Sequence, residues 1–271
     1  MAAGLTITAL AREPVSAISV KIPNTLKCSD RITSGAEPVT PAHFSYLADE
    51  GIRTIISVDG VRPNLELANQ RQLRYVHIPF GYDGIPDSAA LSIARVVRET
   101  NGKIFIHCHH GRHRGPAAAA IACMIDGSAD ANRAKEILAL AGTSKDYSGL
   151  WKDVASFKPP ASNVALPCLH EVAPLKPLTT SMAELGHEFE ALKKADRQEK
   201  LGHAVLIHET LKESFRGGKN EESAAYMKLT KQSIAAASEI RETLAAGRTE
   251  INHLVKALNK TCAACHEAHR N

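Results

Sequence analysis

The chain has 271 residues and a formal net charge of +4 at neutral pH, with 33 Lys and Arg against 29 Asp and Glu. That length is long for a single core, since one domain usually runs about 100 to 200 residues. The basic residues are scattered rather than gathered into the stripe of a nucleic-acid binder, and no apolar run approaches the roughly 20 residues that span a bilayer. Neither a nucleic-acid partner nor a membrane span is expected.

At the start of the chain, Met1 to Leu10 holds a short apolar stretch with no basic region before it and no cleavage site after it, so no intact signal peptide is read there. From Arg31 to about Phe157 short β-branched or aromatic runs alternate with helical spacing. Arg53 to Val58, Arg74 to Phe80 and Lys103 to His107 are predicted strands. Pro41 to Glu50 and Asp87 to Thr100 are predicted helices, the second with Asp87 or Ser88 as its N-cap. Pro116 to Ile125, Ala129 to Ala141 and Tyr147 to Phe157 read as three more helices. This alternation predicts an α/β domain over residues 1–158, a mostly parallel central sheet flanked by helices.

Five prolines then fall between Lys158 and Leu178, which marks residues 159–178 as a semi-extended linker. Proline is absent from Thr179 onward, and Ala, Glu, Lys and Leu dominate. Helices are predicted over Thr179 to Ala195, Gln198 to Phe215, Asn220 to Ala246 and Thr249 to His269, with breaks at Gly217-Gly218 and Gly247. An all-α four-helix bundle over residues 179–271 is the economical architecture.

Six cysteines are too few and too unevenly spaced for a disulfide framework. Cys123, in the apolar run Ala117 to Ile125, is expected to be a buried, inert thiol. Cys28 and Cys168 receive no role.

Cys108 belongs to Ile104-Phe-Ile-His-Cys108-His-His-Gly111-Arg-His-Arg114-Gly-Pro116, which has the form strand, loop, helix. Such a loop turns its backbone N–H groups toward an oxyanion, and the positive end of the following helix, with Pro116 in its first turn, adds to the field. The same field favours a thiolate at Cys108, and Arg114 can meet two phosphoryl oxygens with its planar fork. His109, His110, Gly111, Arg112, His113 and Arg114 are the expected phosphate-binding residues. The three loop histidines can add positive charge for a strongly anionic substrate or gather around a metal.

His107, Cys108, Gly111 and Arg114 fall where the His-Cys-x-x-Gly-x-x-Arg signature of the dual-specificity branch of protein tyrosine phosphatases has them. Ile32 to Pro38, followed by a helix and a strand ending Ser57-Val-Asp59, resembles the opening of the same fold, so the resemblance covers about residues 28–157. Rhodanese-like domains also use a catalytic cysteine loop, but Gly111 favours the phosphatase. The resemblance implies that Cys108 attacks phosphorus, that an aspartic acid protonates the leaving oxygen, and that the substrate is a phosphorylated protein or small molecule. Asp83, in Gly81-Tyr-Asp83-Gly-Ile-Pro86, looks like that acid, with Asp87 second. One departure stands out. Gly115 occupies the place of the usual Ser or Thr that helps expel the thiolate, which implies slow turnover or a module that only binds.

Cys262-Ala-Ala-Cys265-His266 is the attachment motif of c-type haem, with Cys262 and Cys265 as thioether anchors and His266 as the proximal iron ligand. The alternatives are a coincidental pattern or half of a zinc site, which would need more ligands at short spacing. A motif five residues from the last residue given resembles the cytochrome c′ and c-556 family, which carries it on the final helix, and Arg270 sits where that family often has a basic residue. This resemblance covers about Thr179 to Asn271. It implies one covalent haem c, a distal ligand from the first helix of the bundle, an extracytoplasmic (periplasmic) location and a homodimer. Met182 shares an apolar face with Leu185, Phe189 and Leu192 and is the candidate distal ligand, or simply packs on the haem. His187 is expected at the surface, and His203, His208 and His253 are lesser candidates. The expected function is phosphate monoester hydrolysis joined to a monohaem cytochrome that transfers electrons with a redox partner or senses redox state or gas. The alternative is an electron carrier or haem sensor with a catalytically weak oxyanion-binding module.

Overall fold

A computed structural model of the chain describes residues 21–174, 178–217 and 223–269; the stretch from Met1 to Leu10 and Arg270 lie outside them. Five strands, β1 (Leu26–Lys27), β2 (Ile32–Gly35), β3 (Ile52–Ser57), β4 (Arg74–His77) and β5 (Lys103–His107), form one sheet in the order β1-β2-β5-β3-β4. Only β1 runs antiparallel to its neighbour. The central strand β5 carries Ile104, Phe105 and Ile106 with no exposed surface, as a strand covered on both faces must.

Register decides where the site forms. His107, the last residue of β5, pairs with Gly35 at the end of β2 and with Ser57 at the end of β3. Three chain exits therefore open at one level, leading to Glu37, to Asp59 and to Cys108. In open parallel sheets ligands bind beyond the carboxyl ends of the strands.

Successive β5 residues point to opposite faces. On one face Phe105 joins Ile55, Phe44 and Leu47 beneath α1 (Pro41–Asp49) and α2 (Leu65–Asn69). On the other, Ile104 and Ile106 join Ile56, Ile93, Ile121, Ile137 and Leu150 beneath α3 (Asp87–Glu99), α4 (Arg114–Asp126), α5 (Ala131–Leu140) and α6 (Ser148–Ser156). α4 is the buried centre of this layer. Its run of alanines from Ala117 to Ala120 is fully enclosed and lets its neighbours approach closely. Gly127, left-handed at φ 77°, ends it.

The helical half consists of α7 (Leu178–Lys194), α8 (Arg197–Gly217), α9 (Ala224–Ala245) and α10 (Asn252–His269). Leu185 and Leu192, Ile207 and Leu211, Ile240 and Leu244, and Leu254 and Leu258 share one apolar cluster across all four. Ser223 caps α9 through Tyr226 N–H, and Gly247, at φ 76°, follows its end. Among the described residues no helix is long and apolar enough to cross a membrane.

Several local expectations are corrected. β1, β2 and α2 lie outside the elements the sequence predicts: β1 and α2 are two and five residues long, too short for periodicity to register, and β2, Ile32-Thr-Ser-Gly35, holds one large apolar residue. α3 begins at Asp87 with Pro86 in the cap position and no side-chain capping bond, so neither Asp87 nor Ser88 is the N-cap; proline's fixed φ starts the turn instead. The proline-rich segment carries no regular element, yet it is tied down. His77 N–H donates to the His170 carbonyl along the outer edge of β4, Ala173 N–H donates to His77 Nδ1, and Arg95 donates to the Pro167 carbonyl.

Candidate active site

The loop from His107 to Arg114 turns its carbonyls outward. Val58 N–H donates to the His107 carbonyl, Glu37 N–H to His109, the Asn24 side-chain amide to His110, and the Thr143 hydroxyl to Arg112. Among the described residues, no backbone hydrogen bond takes up the N–H groups of residues 109 to 113. Four loop carbonyls bound from outside and a run of unclaimed amides beside them make the arrangement of an anion-binding nest. Gly111 makes the turn possible. Its φ is 67°, and a β-carbon there would collide with the backbone of Gly35 and Ala36.

Cys108 sits at the foot of this nest, 3% exposed. His107 beside it is fully buried, with Nε2 2.5 Å from the Tyr75 hydroxyl, and burial pushes its imidazole down to about 4. Gly115 lies against the loop as well. A β-carbon there would stand 3.0 Å from Cys108 N and 3.3 Å from the His107 carbonyl carbon, so the absent Ser or Thr is matched by a close approach of α4 to the cysteine's backbone.

Arg114 is buried completely. Nη1 donates to the Phe80 carbonyl at 3.0 Å, and Nη2 donates to Asp59 Oδ1 at 3.1 Å and to the Tyr82 hydroxyl at 2.9 Å. Burial opposes its charge, but Tyr82, Glu213, Asp59 and Cys108 outweigh that and raise it well above the ordinary guanidinium value. Both terminal nitrogens are engaged, while Nε is buried without a partner. The fork expected to meet two phosphoryl oxygens already has both terminal nitrogens held by Asp59, Phe80 and Tyr82, which leaves Nε. A buried guanidinium N–H without an acceptor costs about 1 to 3 kcal/mol, so it is a strong candidate to meet an oxyanion.

Asp59 is the electrostatic hub. Its Oδ1 accepts from Arg114 and from Arg216 Nη1 at 3.0 Å, and its Oδ2 accepts from Arg216 Nη2 at 2.5 Å. Burial works against its charge, but the Arg216 bonds and the two guanidinium charges hold it well below the usual carboxylate range. Glu37, Asp59 and His109 bring ligand atoms within 4.8 Å of one another, yet Arg216 Nη2 lies 2.5 Å from Asp59 and 3.5 Å from Glu37. A guanidinium fills the place a cation would take.

The loop histidines do not act as one group. His109 pairs with Glu37 at 3.3 Å. His113 stacks on Tyr147 with ring centroids 4.1 Å apart, and burial pushes it down to about 4. Burial lowers His110 too, helped by His109 and Lys212. Desolvation thus corrects the expectation that His110 and His113 supply positive charge at neutral pH. Arg112 is exposed, with its carbonyl held by Thr143.

Asp83 is exposed, with its carboxylate turned back over Gly81. Its loop is braced from α6. Asp153 accepts from Ile85 N–H at 2.7 Å, and the Asp83 backbone lies against Gly149 so closely that a β-carbon there would collide with it. Tyr82, next to it, is the residue of this loop that reaches Arg114. Asp87 is exposed in the first turn of α3.

In the helical half, Cys262 and Cys265 are half-buried one turn apart on α10, and His266 is exposed beside them. Met182 and Phe189 of α7 and Cys262 of α10 all pack against the same apolar cluster. Two thiols on one helical face at the rim of an apolar core, with an imidazole at the next position, fit a porphyrin edge held by two thioethers. His187 and His253 are exposed, His203 pairs with Glu188 at 2.7 Å, and His208 lies 3.2 Å from Glu209.

Sequence reasoning missed Glu37, Asp59, Tyr82, Glu213 and Arg216 as site residues. The Arg216 and Glu213 pair carried one signal, two opposite charges one turn apart, which is also what any solvated helix face offers.

No family model and no curated protein matches the chain. Among solved structures it is similar to Pseudomonas aeruginosa TpbA, at 21% identity over 50% of this chain and 86% of that one, with a TM-score of 0.43. It is also similar to a DUF442 protein from Shewanella putrefaciens CN-32, at 17% identity over 50% and 90% of the two chains, TM-score 0.39. The active form of Tk-PTP is a third, at 18% identity over 49% and 97%, TM-score 0.39.

Proposed function

We propose that the α/β half hydrolyses a phosphate monoester through Cys108, and that α10 carries one covalent haem c. The observation that carries the first part is the nest. Four loop carbonyls are tied to partners outside the loop, the amides of residues 109 to 113 beside a buried cysteine are unclaimed among the described residues, and the Nε of buried Arg114 has no partner there. These donors suit three non-bridging oxygens and stabilise charge that grows in the transition state.

In the first step the Cys108 sulfur forms a bond to phosphorus while the bond from phosphorus to the leaving oxygen breaks. Asp83 gives that oxygen its proton, the products being an alcohol and a phosphocysteine. In the second, the Asp83 carboxylate takes a proton from water, the water oxygen bonds phosphorus, and the sulfur leaves as thiolate with inorganic phosphate. Gly115 offers no hydroxyl to the departing sulfur, so the second step is the slow one.

The haem, when attached through Cys262 and Cys265, supplies one-electron chemistry or an iron site for a small ligand. His266 and Met182 are the residues that would hold its iron. Attachment implies a site outside the cytoplasm and, for electron transfer, a redox partner.

Hydrolysis of a chromogenic aryl phosphate by the full chain and by Cys108→Ser tests the enzyme assignment. Loss of hydrolysis in the variant is expected. Equal rates would leave an oxyanion-binding module beside a haem protein, the reading that Gly115 favours.

A further inference from the structure

α8 is buried on two faces. Ala204, Ile207 and Leu211 enter the core of the helical half, while Val205 belongs to the core of the α/β half and Leu201 packs against both. Continuing the Leu201 and Val205 stripe by turns of the helix leads to Glu209, Lys212, Glu213 and Arg216, which is the row that lies over the loop site.

Three of these four polar residues have a partner in the site, and the fourth, Lys212, braces one of them. Glu209, only 4% exposed, accepts from the Tyr147 hydroxyl at 3.1 Å, and Tyr147 is the ring on which His113 stacks. Lys212 donates to Glu209 at 3.0 Å. Arg216 clasps Asp59 with two hydrogen bonds. Glu213 puts Oε1 2.5 Å from Arg114 Nη1, and its other oxygen lies so near Gly60 that a β-carbon there would be 2.7 Å away.

Glu213 is therefore a carboxylate set against the signature arginine of the loop. The contact is a charge contact without hydrogen-bond alignment, because Glu213 Oε1 has no partner in hydrogen-bond geometry and Arg114 Nε has none either. A phosphoryl group brings more negative charge than a carboxylate and oxygens in directions that can meet Nε and the loop amides together. A Glu carboxylate at this guanidinium is an imperfect stand-in for such a ligand, strong enough to occupy and weak enough to be displaced.

We propose that α8 is a built-in inhibitory plug: Glu213 competes with the phosphoryl group for Arg114, and the Arg216 clasp on Asp59 and the Glu209 bond to Tyr147 hold the helix over the site. The proposal deepens the phosphatase assignment and rests on it for the nature of the displaced ligand. Because the opposite face of α8 is built into the helical core, a rearrangement of that core moves the plug. The apparent affinity of a site that is open only part of the time is the intrinsic affinity reduced by the open fraction.

The test uses the full chain and four proteins: wild type, Glu213→Gln, Arg216→Ala and Cys108→Ser. Inorganic phosphate binding is measured by calorimetry and aryl phosphate hydrolysis in parallel, with thermal melts to establish folding. Phosphate is expected to bind about tenfold or more tightly in Glu213→Gln and Arg216→Ala, with kcat/KM rising by a similar factor. Should Arg216→Ala unfold, Glu213→Gln still decides, since it keeps the side-chain volume and leaves the Arg216 clasp in place. Unchanged or weaker phosphate binding in folded Glu213→Gln overturns the plug. So does a fall in kcat with unchanged phosphate affinity, which would put Glu213 in the chemistry instead. If phosphate binding tightens while no protein exceeds Cys108→Ser in hydrolysis, the plug stands and the phosphatase assignment fails.

Discussion

Arg216 binds Asp59 through both carboxylate oxygens, at 3.0 and 2.5 Å, across 157 positions of sequence. The same carboxylate holds Arg114, so one buried anion balances two guanidinium groups that belong to different halves of the chain. Removing one partner of a buried ion pair leaves the others uncompensated and costs about 3 to 5 kcal/mol. Asp59→Asn is expected to lower the unfolding free energy by an amount of that order, read as a fall in the urea midpoint at unchanged slope, with the loss seen in the signals of both halves. A change within the noise of the titration would mean that Asp59 is not the hub.

His107 gives the stability a direction with pH. Burial holds it neutral down to about 4, against 6.5 for a free imidazole, so between those values the unfolded chain binds a proton that the folded chain refuses. Stability is then complete above pH 6.5 and falls as pH drops toward 4, by roughly 3 kcal/mol from this residue. His113, also pushed down to about 4 by burial, acts in the same sense. Chemical denaturation at several pH values between 7 and 4 measures the slope, and His107→Asn should flatten it.

Gly115 sets up a kinetic expectation. With no hydroxyl at that position, breakdown of the phosphocysteine limits turnover, and rapid mixing with an aryl phosphate should give a burst of phenol close to one equivalent per protein before a slower steady rate. A linear time course from the first turnover would put the slow step earlier.

The same glycine makes a steric prediction. A methyl group at Gly115 would press on Cys108 N at 3.0 Å, tighter than most packed contacts, and overpacking costs about 1 to 3 kcal/mol. Gly115→Ala is expected to lower the melting temperature and weaken phosphate binding, because the loop must open to admit the β-carbon. Calorimetry reads both.

At the other end of the chain, expression with haem maturation should yield a pigment that acidified acetone does not extract. Cys262→Ser combined with Cys265→Ser should release it. Optical spectra in both oxidation states then separate methionine ligation by Met182 from five-coordinate iron, with Met182→Ala as the control.

Much of this was legible in the sequence because it is local. The Cys108 to Arg114 loop is one continuous stretch whose order of residue types marks a turn between a strand and a helix, and strands such as Lys103 to His107 are apolar enough to announce themselves. The long helices were legible for the same reason, since each repeats its apolar spacing over several turns. Asp59, Tyr82, Glu213 and Arg216 were not, because their meaning comes from register and packing. Asp59 matters only because His107 aligns with Ser57, and Glu213 and Arg216 resemble an ordinary charged helix face until α8 is laid over Arg114. Burial likewise took from His113 the positive charge that its type allows.

The pairing of His77 with the His170 carbonyl has a practical consequence for anyone dissecting the chain. A fragment cut after Phe157 would keep the whole sheet yet free the His77 amide on the outer strand, opening that edge to pairing with other molecules. Such a fragment should be prone to self-association, and a cut made beyond Pro174 should behave better.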